Sequence, residues 1–287
     1  MQTIFSIFVD AFAYGMVLFL ISIGLSVTMG LMRVINLAHG AFAMIGGYFA
    51  SYATQTLGLG YGVAILAAII GTVLIAIPLE RFLYRRIYGA PELTQVLMTI
   101  GITFCIIGIA NYVFGPTLKT VPLPSELAGS TNLGFRTIAT HRLFVIAAGL
   151  TVAGALWFLF ERTGFGIKLR AAVDNAAMAS ALGVRTQVIY ALAFALSVGL
   201  AALGGVIGAE LLPVEPYYAL RYMVTFLVVV SVGGAGSIPG ALLACLLLGA
   251  IDTTGRYLAP EYGEFFFYLA VIAIVSIFPR GLLGRSG

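Results

Sequence analysis

Long apolar stretches separated by short polar connections run through the whole chain. A helix needs about 20 apolar residues to cross a hydrocarbon core about 30 Å thick. Stretches of that order cover residues 8–31, 41–57, 61–79, 95–114, 142–160, 188–210, 222–233, 238–255 and 264–279. The pattern predicts an all-α polytopic membrane protein with about eight or nine transmembrane helices.

The seventh stretch, 222–233, is too short to cross as a straight helix. Gly233, Gly234, Gly236 and Pro239 follow it directly. An interrupted piece of this kind is tolerated at membrane depth only where protein surrounds it. We therefore expect a broken or re-entrant helix here, which would leave eight full spans.

The composition supports a membrane protein and excludes several other classes. Hydrophobic residues make up 61% of the 287 positions and charged residues only 9%, against roughly 45–50% and 25% in soluble domains. So few charges cannot cover a soluble surface of this size. A soluble enzyme, a disordered tail and a nucleic-acid-binding protein are excluded, and membrane lipid is the expected surrounding of a single transmembrane domain, 1–287.

The cysteines and the N-terminal region give no sign of secretion or metal binding. Cys105 and Cys245 both lie in apolar stretches, so we interpret them as packing residues and expect neither a disulfide nor a metal site. The first 32 residues contain no Lys or Arg, so the basic region of a cleaved signal peptide is missing. The first apolar stretch is therefore expected to be a retained span.

The basic residues predict an orientation, because Lys and Arg in short loops stay in the cytoplasm. With the N-terminus outside and the C-terminus inside, ten basic residues lie inside and five outside. The inside group comprises Arg33, Arg81, Arg85, Arg86, Arg162, Lys168, Arg170, Arg185, Arg280 and Arg285. The outside group comprises Lys119, Arg136, Arg142, Arg221 and Arg256.

Two hydrophilic segments are long enough to matter. Residues 115–141 carry three prolines and many small polar residues, which predicts an irregular outer loop. Residues 162–187 form the longest cytoplasmic segment. Its part from Ile167 to Leu182 is rich in Ala, Leu and Met, and Gly183 follows as a helix-ending residue. We expect one short exposed helix at the membrane surface.

Two interpretations of this helix stay open. It could be an ordinary amphipathic helix that lies in the lipid interface. Residues four apart, however, such as Ala171, Asn175 and Ala179, would present small side chains on one face. Small side chains suit docking into a protein cleft better than binding to lipid headgroups.

Reactive groups and nucleotide motifs are scarce in the sequence. There is no HExxH, CxxC or nucleophile-elbow pattern, and the only histidines are His39 and His141. No phosphate-binding GxxxxGK[ST] loop is present, so we expect no enzyme activity and no nucleotide site in this chain. The acidic residues cluster at span ends, which argues against an ion-gradient-driven carrier without excluding one.

Small and polar residues recur within the apolar stretches. Gly204 and Gly208 have a spacing that lets helices approach closely. Gln95, Thr99 and Thr103 are each four apart, so they form one row on a helix face. The row could bond a polar solute in a chamber or could make ordinary hydrogen bonds between helices.

The segment from Arg33 to Gly40 is the most distinctive part of the sequence. Asn36 and His39 interrupt an apolar region, and Gly40 permits a break before the next span. We interpret the segment as a membrane-embedded turn whose polar side chains bond backbone groups left open at helix ends. Lining a substrate path is the alternative role of Asn36, His39 and Gly40.

Three motifs resemble those of a known family. They are MGLMRVINLAHGAFAMIGGYFA at 29–50, RTGFGIKLRAAVDNAAMASALGVRTQ at 162–187, and GGAGSIPGALLACLLLGA at 233–250 followed by FPRGLLG at 278–284. In order and spacing they resemble the permeases of branched-chain amino-acid ABC importers, of the LivH type. The resemblance covers nearly the whole chain.

The resemblance implies an inner-membrane translocation subunit with several partners. These would be a second related permease subunit, two ABC ATPase subunits that bind ATP and Mg²⁺, and a periplasmic substrate-binding protein, with no cofactor in this chain. The cytoplasmic segment would dock in an ATPase cleft. The docking residues implied by the resemblance are Arg170, Ala171, Asp174, Asn175, Ala179, Leu182 and Gly183.

Two positions depart from the family pattern. Relatives commonly have an acidic residue where this chain has Ala41, and often Pro where it has Ala176. The first removes a polar group near the expected path and bears on the solute; the second affects only the local start of a helix. Branched-chain amino acids are the default solutes, and permeases for urea and short amides share these motifs.

Overall fold

The computed structural model describes residues 2–132, 137–279 and 281–283, and helices dominate it. The first helices are α1 Gln2–Ser26, α2 His39–Gln55, α3 Tyr61–Leu79, α4 Arg85–Ile87, α5 Glu92–Phe114 and α6 Ser125–Ala128. The others are α7 Thr140–Arg162, α8 Gly164–Asp174, α9 Ala176–Ala181, α10 Thr186–Ile207, α11 Tyr218–Gly233, α12 Ile238–Leu258 and α13 Gly263–Ile277. The predicted all-α polytopic membrane class is confirmed.

Short irregular elements join or extend these helices. A π-helical turn, Val27–Leu31, prolongs α1, and another, Glu80–Tyr84, joins α3 to α4. Strands β1 Ser130–Asn132 and β2 Thr137–Ala139 pair antiparallel within the long predicted outer loop. Arg136, Arg280 and Arg285 of the charge comparison lie outside the described residues, as does Gly284 at the end of the last motif.

Six helical stretches in the described part of the chain are long and apolar enough to cross a membrane. They are Phe5–Leu31, Tyr61–Ile87, Glu92–Phe114, Thr140–Arg162, Thr186–Ile207 and Ile238–Leu258. The other predicted spans correspond to shorter helices: α2 has 17 residues, α11 has 16 and α13 has 15. At 1.5 Å per residue α11 is about 24 Å long, short of a core about 30 Å thick.

Helix α1 forms the centre of the molecule. Every side chain from Met16 to Ile21 is fully buried. Helices α7, α10, α11 and α12 pack around it, and α2 packs between α3, α10 and α11. The apolar outer faces of α3, α5 and α13 remain exposed, as expected of surfaces that face lipid.

Glycines allow the closest helix contacts. A Cβ on Gly204 would lie 2.6 Å from Ile21 Cγ1, so the predicted small-residue pair faces α1. At the next position, Gly205, a Cβ would lie 2.0 Å from the backbone oxygen of Ala43 on α2. Since a backbone oxygen cannot turn aside as a flexible side chain can, α10 and α2 must separate to accept any larger residue.

The expected single helix from Ile167 to Leu182 is wrong. The structure has two helices, α8 and α9, separated at Asn175, which is in an extended conformation with φ −152° and ψ 92°. The Asn175 side chain accepts a hydrogen bond from the Met178 N–H at 2.9 Å, so it caps α9. A side chain that bonds the backbone two or three residues ahead favours a helix start over a helix interior.

We predict that Gly205→Ala lowers the free energy of unfolding by about 1–3 kcal/mol, because overpacking forces backbone shifts. Gly154→Ala is the control, since nothing lies within 4 Å of a Cβ at that position. The thermal midpoint of each purified variant in detergent measures the effect. Equal midpoints for the two variants would contradict the packing contact described here.

Candidate functional site

Helix α8 is fixed to the membrane helices on both sides. The guanidinium of Arg170 donates to the backbone oxygen of Phe160 on α7 at 2.9 Å, and it lies 3.4 Å from the Glu161 carboxylate. On the other side, the Tyr190 hydroxyl of α10 donates to the Ala172 oxygen at 2.7 Å. These bonds tie α8 to α7 and α10.

Other residues of α8 and α9, apart from those that contact α7 and α10, are exposed, and several of them are apolar. Ile167, Met178 and Leu182 are 63%, 59% and 78% exposed. Ala171 and Asp174 are also exposed, and these five residues are called the α8–α9 surface below. Helices α8 and α9 lie outside the candidate spans, so these exposed apolar side chains do not belong to a lipid-facing span.

The seven residues implied by the resemblance divide into two groups. Asn175 and Gly183 are exposed next to the α8–α9 surface, which itself contains Ala171, Asp174 and Leu182. Arg170 bonds to α7, and Ala179 is buried against its own chain. The last two therefore hold the segment in place instead of facing outwards.

Sequence reasoning did not single out Ile167 and Met178 as site residues. Both are large apolar side chains in a segment that connects two spans, and that contrast was the available signal. Gly183 ends α9 with φ +84°, and the Val184 N–H bonds to the Ala179 oxygen at 3.0 Å. This closing turn favours glycine and fixes where Leu182 leaves the helix.

Residues 32–38, between the π-helical turn and α2, run among the membrane helices without forming a helix. His39, at the start of α2, donates from Nε2 to the backbone oxygen of Ile21 at 2.7 Å. Ile21 lies ten residues before Leu31, the end of its span, or about 15 Å along a helix. Helix α2 therefore begins well inside the helix bundle.

Side chains of α5 satisfy this irregular backbone. Gln95 Oε1 accepts from the Ile35 N–H at 2.8 Å, and Thr99 Oγ1 accepts from the Leu37 N–H at 3.3 Å. Thr103, the third member of the row, donates to the Thr99 oxygen within its own helix. An unbonded buried N–H costs about 1–3 kcal/mol, so Gln95 and Thr99 stabilise the break.

Asn36 and His39 occupy the middle of the embedded turn. Asn36 Oδ1 accepts from the Ala38 N–H at 3.2 Å and from the Tyr84 hydroxyl at 2.8 Å. Asn36 Nδ2 and His39 Nδ1 are buried and have no hydrogen-bond partner among the described residues. Both residues line a small cavity of about 10 Å³ next to α11, to which Gly40 also belongs.

Tyr84 was not identified from the sequence, although it holds Asn36 in place. It belongs to the π-helical turn Glu80–Tyr84, whose first residue, Glu80, is a buried acid. There the Tyr88 hydroxyl donates to Glu80 at 2.9 Å, and Arg85 lies 3.5 Å from the same carboxylate. Burial and the Glu80 charge raise the pKa of Tyr88 above its ordinary value, so this hydroxyl stays a donor.

Among the described residues, no three His, Cys, Asp or Glu side chains lie close enough together to hold a metal ion. The arrangement offers hydrogen bonds, an exposed and partly apolar surface on α8 and α9, and a helix break.

Known proteins with similar sequence are transport permeases. The chain is 29% identical to the high-affinity branched-chain amino acid transport system permease protein LivH of Escherichia coli (strain K12), over 93% of this chain and 91% of that protein. It is 27% identical to the corresponding protein BraD of Pseudomonas aeruginosa, over 96% and 94%.

A solved structure has a similar fold. The similarity is to PsaBC from Streptococcus pneumoniae in complex with Fab, with a TM-score of 0.51 and 13% sequence identity, over 93% of this chain and 89% of that one. At this identity the match concerns the fold alone.

The family match extends over nearly all the helices described above. Residues 7–275 match the model of a family described as branched-chain amino acid transport system, permease component. The matched range contains α8, α9 and the embedded turn. The chain therefore belongs to this family of membrane permeases.

Proposed function

We propose that this chain is the translocation subunit of an ATP-driven importer in the bacterial inner membrane, and that its solutes are leucine, isoleucine and valine. The observation that carries the proposal is the exposed apolar α8–α9 surface outside the candidate spans. The relatives named above, whose transport systems carry branched-chain amino acids, support the choice of solute.

The α8–α9 surface is the proposed docking site for an ATPase subunit. Leu182 and Met178 would enter an apolar cleft, and Asp174 would face a basic or hydrogen-bonding group of the partner. The complete transporter would contain a second related permease, two ATPase subunits that hydrolyse Mg²⁺-bound ATP, and a periplasmic substrate-binding protein.

Movement of the α8–α9 surface would reach the embedded turn through a short series of contacts. A displacement of α8 pulls on α10 through the bond between Tyr190 and Ala172. Helix α10 is joined to α1 by the Ser197 hydroxyl, which donates to the Gly24 oxygen at 2.7 Å. Rigid helices transmit such shifts as whole bodies.

Asn36 and His39 are proposed to line the solute path, with Gly40, Gln95, Thr99 and Thr103 shaping the turn around them. Asn36 Nδ2 and His39 Nδ1 have no hydrogen-bond partner among the described residues, and the cavity that these two residues line is too small for an amino acid. The structure would therefore represent a closed path, which opens when α11 moves away from the turn. Polar groups that find partners only in the open state lower the barrier to a polar solute.

We predict that Leu182→Asp weakens association with the ATPase subunits about 10-fold or more, because a buried leucine contributes about 1.5–3 kcal/mol. Leu118→Asp is the matched control, since Leu118 is 52% exposed and lies in the predicted outer loop. Affinity purification of each tagged variant from mild detergent, with the co-purifying ATPase quantified, measures the effect.

Equal recovery of ATPase with both variants would count against the docking surface. If the chain instead purified alone and moved leucine under an ion gradient without ATP, it would be a secondary carrier. Uptake of urea or acetamide in preference to leucine would identify the amide permease alternative.

We predict that Thr99→Val lowers stability by about 1–3 kcal/mol and also reduces uptake, because the Leu37 N–H loses its acceptor. Thr72→Val is the matched control: Thr72 is equally buried, but its hydroxyl bonds only to the Ala68 oxygen of its own helix. Thermal midpoints and leucine uptake per assembled complex measure both effects. If the two variants behaved alike, the bond to the embedded turn would have no importance.

A further inference from the structure

A large polar cavity lies at the end of the bundle opposite α8 and α9. Helices α1, α7, α11, α12 and α13 contribute to its wall, and its volume is about 660 Å³. Small-molecule sites in proteins have volumes of roughly 300–1,000 Å³. The cavity is thus large enough for an amino acid, unlike the small space beside Asn36.

Opposite charges stand in pairs on the cavity wall. Asp10 of α1 forms an ion pair with Arg142 of α7, and the Tyr257 hydroxyl of α12 donates to the same carboxylate at 3.0 Å. On α12, Arg256 Nε donates to Asp252 Oδ2 at 2.8 Å. One bridge of hydrogen bonds thus joins three helices, and a second ion pair lies beside it.

The acids are buried in the wall, whereas the guanidinium groups extend towards water. The side chains of Asp10 and Asp252 are 12% and 7% exposed, against 36% for Arg142 and 54% for Arg256. A solute in the cavity can therefore reach the arginines directly. The third arginine of the cavity wall, Arg221, pairs at 2.8 Å with Glu215, which does not line the cavity, so each of the three arginines has an acidic partner.

Aromatic side chains supply the apolar part of the same cavity. Tyr14, Tyr222, Phe267 and Tyr268 line it. Rings of this kind contact an aliphatic side chain favourably while tyrosine hydroxyls remain available for hydrogen bonds. Charged pairs and apolar rings in one cavity match the two halves of an aliphatic amino acid.

We propose that this cavity binds a neutral α-amino acid in its zwitterionic form. Its carboxylate would accept hydrogen bonds from the guanidinium of Arg142 or Arg256. Its ammonium would donate to Asp10 or Asp252, and its aliphatic side chain would pack against the tyrosine rings. Such charge-assisted bonds are about twice as strong as neutral ones. The inference rests on the proposed function, since it places a first binding site for the transported solute on the permease itself.

Charge balance explains why a zwitterion fits better than a simple ion. A lone carboxylate that displaces an aspartate from its arginine, or a lone ammonium that displaces an arginine from its aspartate, leaves the displaced side chain without its ion-pair partner. A zwitterion satisfies both, because its two charges replace the charges that the pair loses. Leaving a buried charge unpaired is expensive, so the cavity discriminates against ligands with one charge.

The proposal is tested by measuring how fast a neutral, water-soluble maleimide labels a cysteine in the cavity, with and without added ligand. A ligand bound in the cavity should protect this cysteine from labelling. The full-length chain in nanodiscs carries Cys105→Ser, which removes the exposed thiol, while Cys245 is fully buried. Thr253→Cys places the reporter on the cavity wall, and Ser125→Cys places a control reporter on an exposed outer segment.

Leucine at about ten times its Kd is expected to slow labelling of the cavity reporter about 10-fold and to leave the control reporter unchanged. Leucinamide lacks the carboxylate and 4-methylpentanoate lacks the ammonium, so neither protects at the same concentration. Urea also gives no protection. Equal protection by all four compounds, or none by leucine, overturns the proposal.

Arg142→Gln should raise the leucine concentration needed for half-protection about 10-fold or more, because it removes a charged hydrogen bond. Arg85→Gln is the matched control: Arg85 is also 36% exposed and also pairs with an acid, but outside this cavity. If Arg142→Gln lowers only the thermal midpoint and leaves half-protection unchanged, the ion pairs merely brace helices and the proposal fails.

A separate measurement of ATP-driven leucine uptake by the assembled complex distinguishes the cavity-site proposal from the proposed importer function. Uptake without protection overturns the cavity site and leaves the proposed function intact. Protection without uptake supports the cavity site and contradicts the proposed function.

Discussion

Backbone groups at membrane depth must find hydrogen-bond partners within the protein, and the break between α1 and α2 depends on this constraint. The Ile35 and Leu37 N–H groups bond to side chains of α5, and the His39 ring bonds to the Ile21 oxygen. Because these partners come from α5 and α1, the break persists only while both helices keep their positions. Its geometry therefore responds to movements of the bundle.

The three features to which we assign proposed functions lie at three levels of one bundle. The charged cavity is at one end, the embedded turn is inside, and the α8–α9 surface is at the other end. Helices α7 and α10 connect the levels, since each contacts both α1 and α8. A solute held at the cavity and a partner docked at the far end could thus influence each other through helices already in contact.

The sequence predicts the helices well because twenty-residue apolar stretches have few alternatives. It also marks Asn36 and His39, since polar residues in an apolar region need an explanation. The separation of α8 from α9 at Asn175 depends on one local hydrogen bond, in which the Asn175 side chain accepts from the Met178 N–H. The spacing of apolar residues along the sequence carries no information about such a bond. The available signal was Asn175 itself, because asparagine is one of the residues favoured at the position that caps a helix start.

Ion pairs were harder to predict than helices. Asp10 and Arg142 are far apart in sequence and join only when α1 meets α7, so spacing gives no sign of the pair. The inward contact of Arg170 with the Phe160 oxygen likewise depends on the angle at which α8 leaves α7. The bond between Asp10 and the Tyr257 hydroxyl also has a consequence for synthesis. Helix α1 is made before the helices that surround it, and Tyr257 follows Asp10 by 247 residues. Until the C-terminal helices are inserted, the Asp10 carboxylate and the apolar segment from Met16 to Ile21 lack their final neighbours. A chain truncated before α12 is thus left with an unfinished centre rather than a smaller complete bundle, because α12 packs along α1.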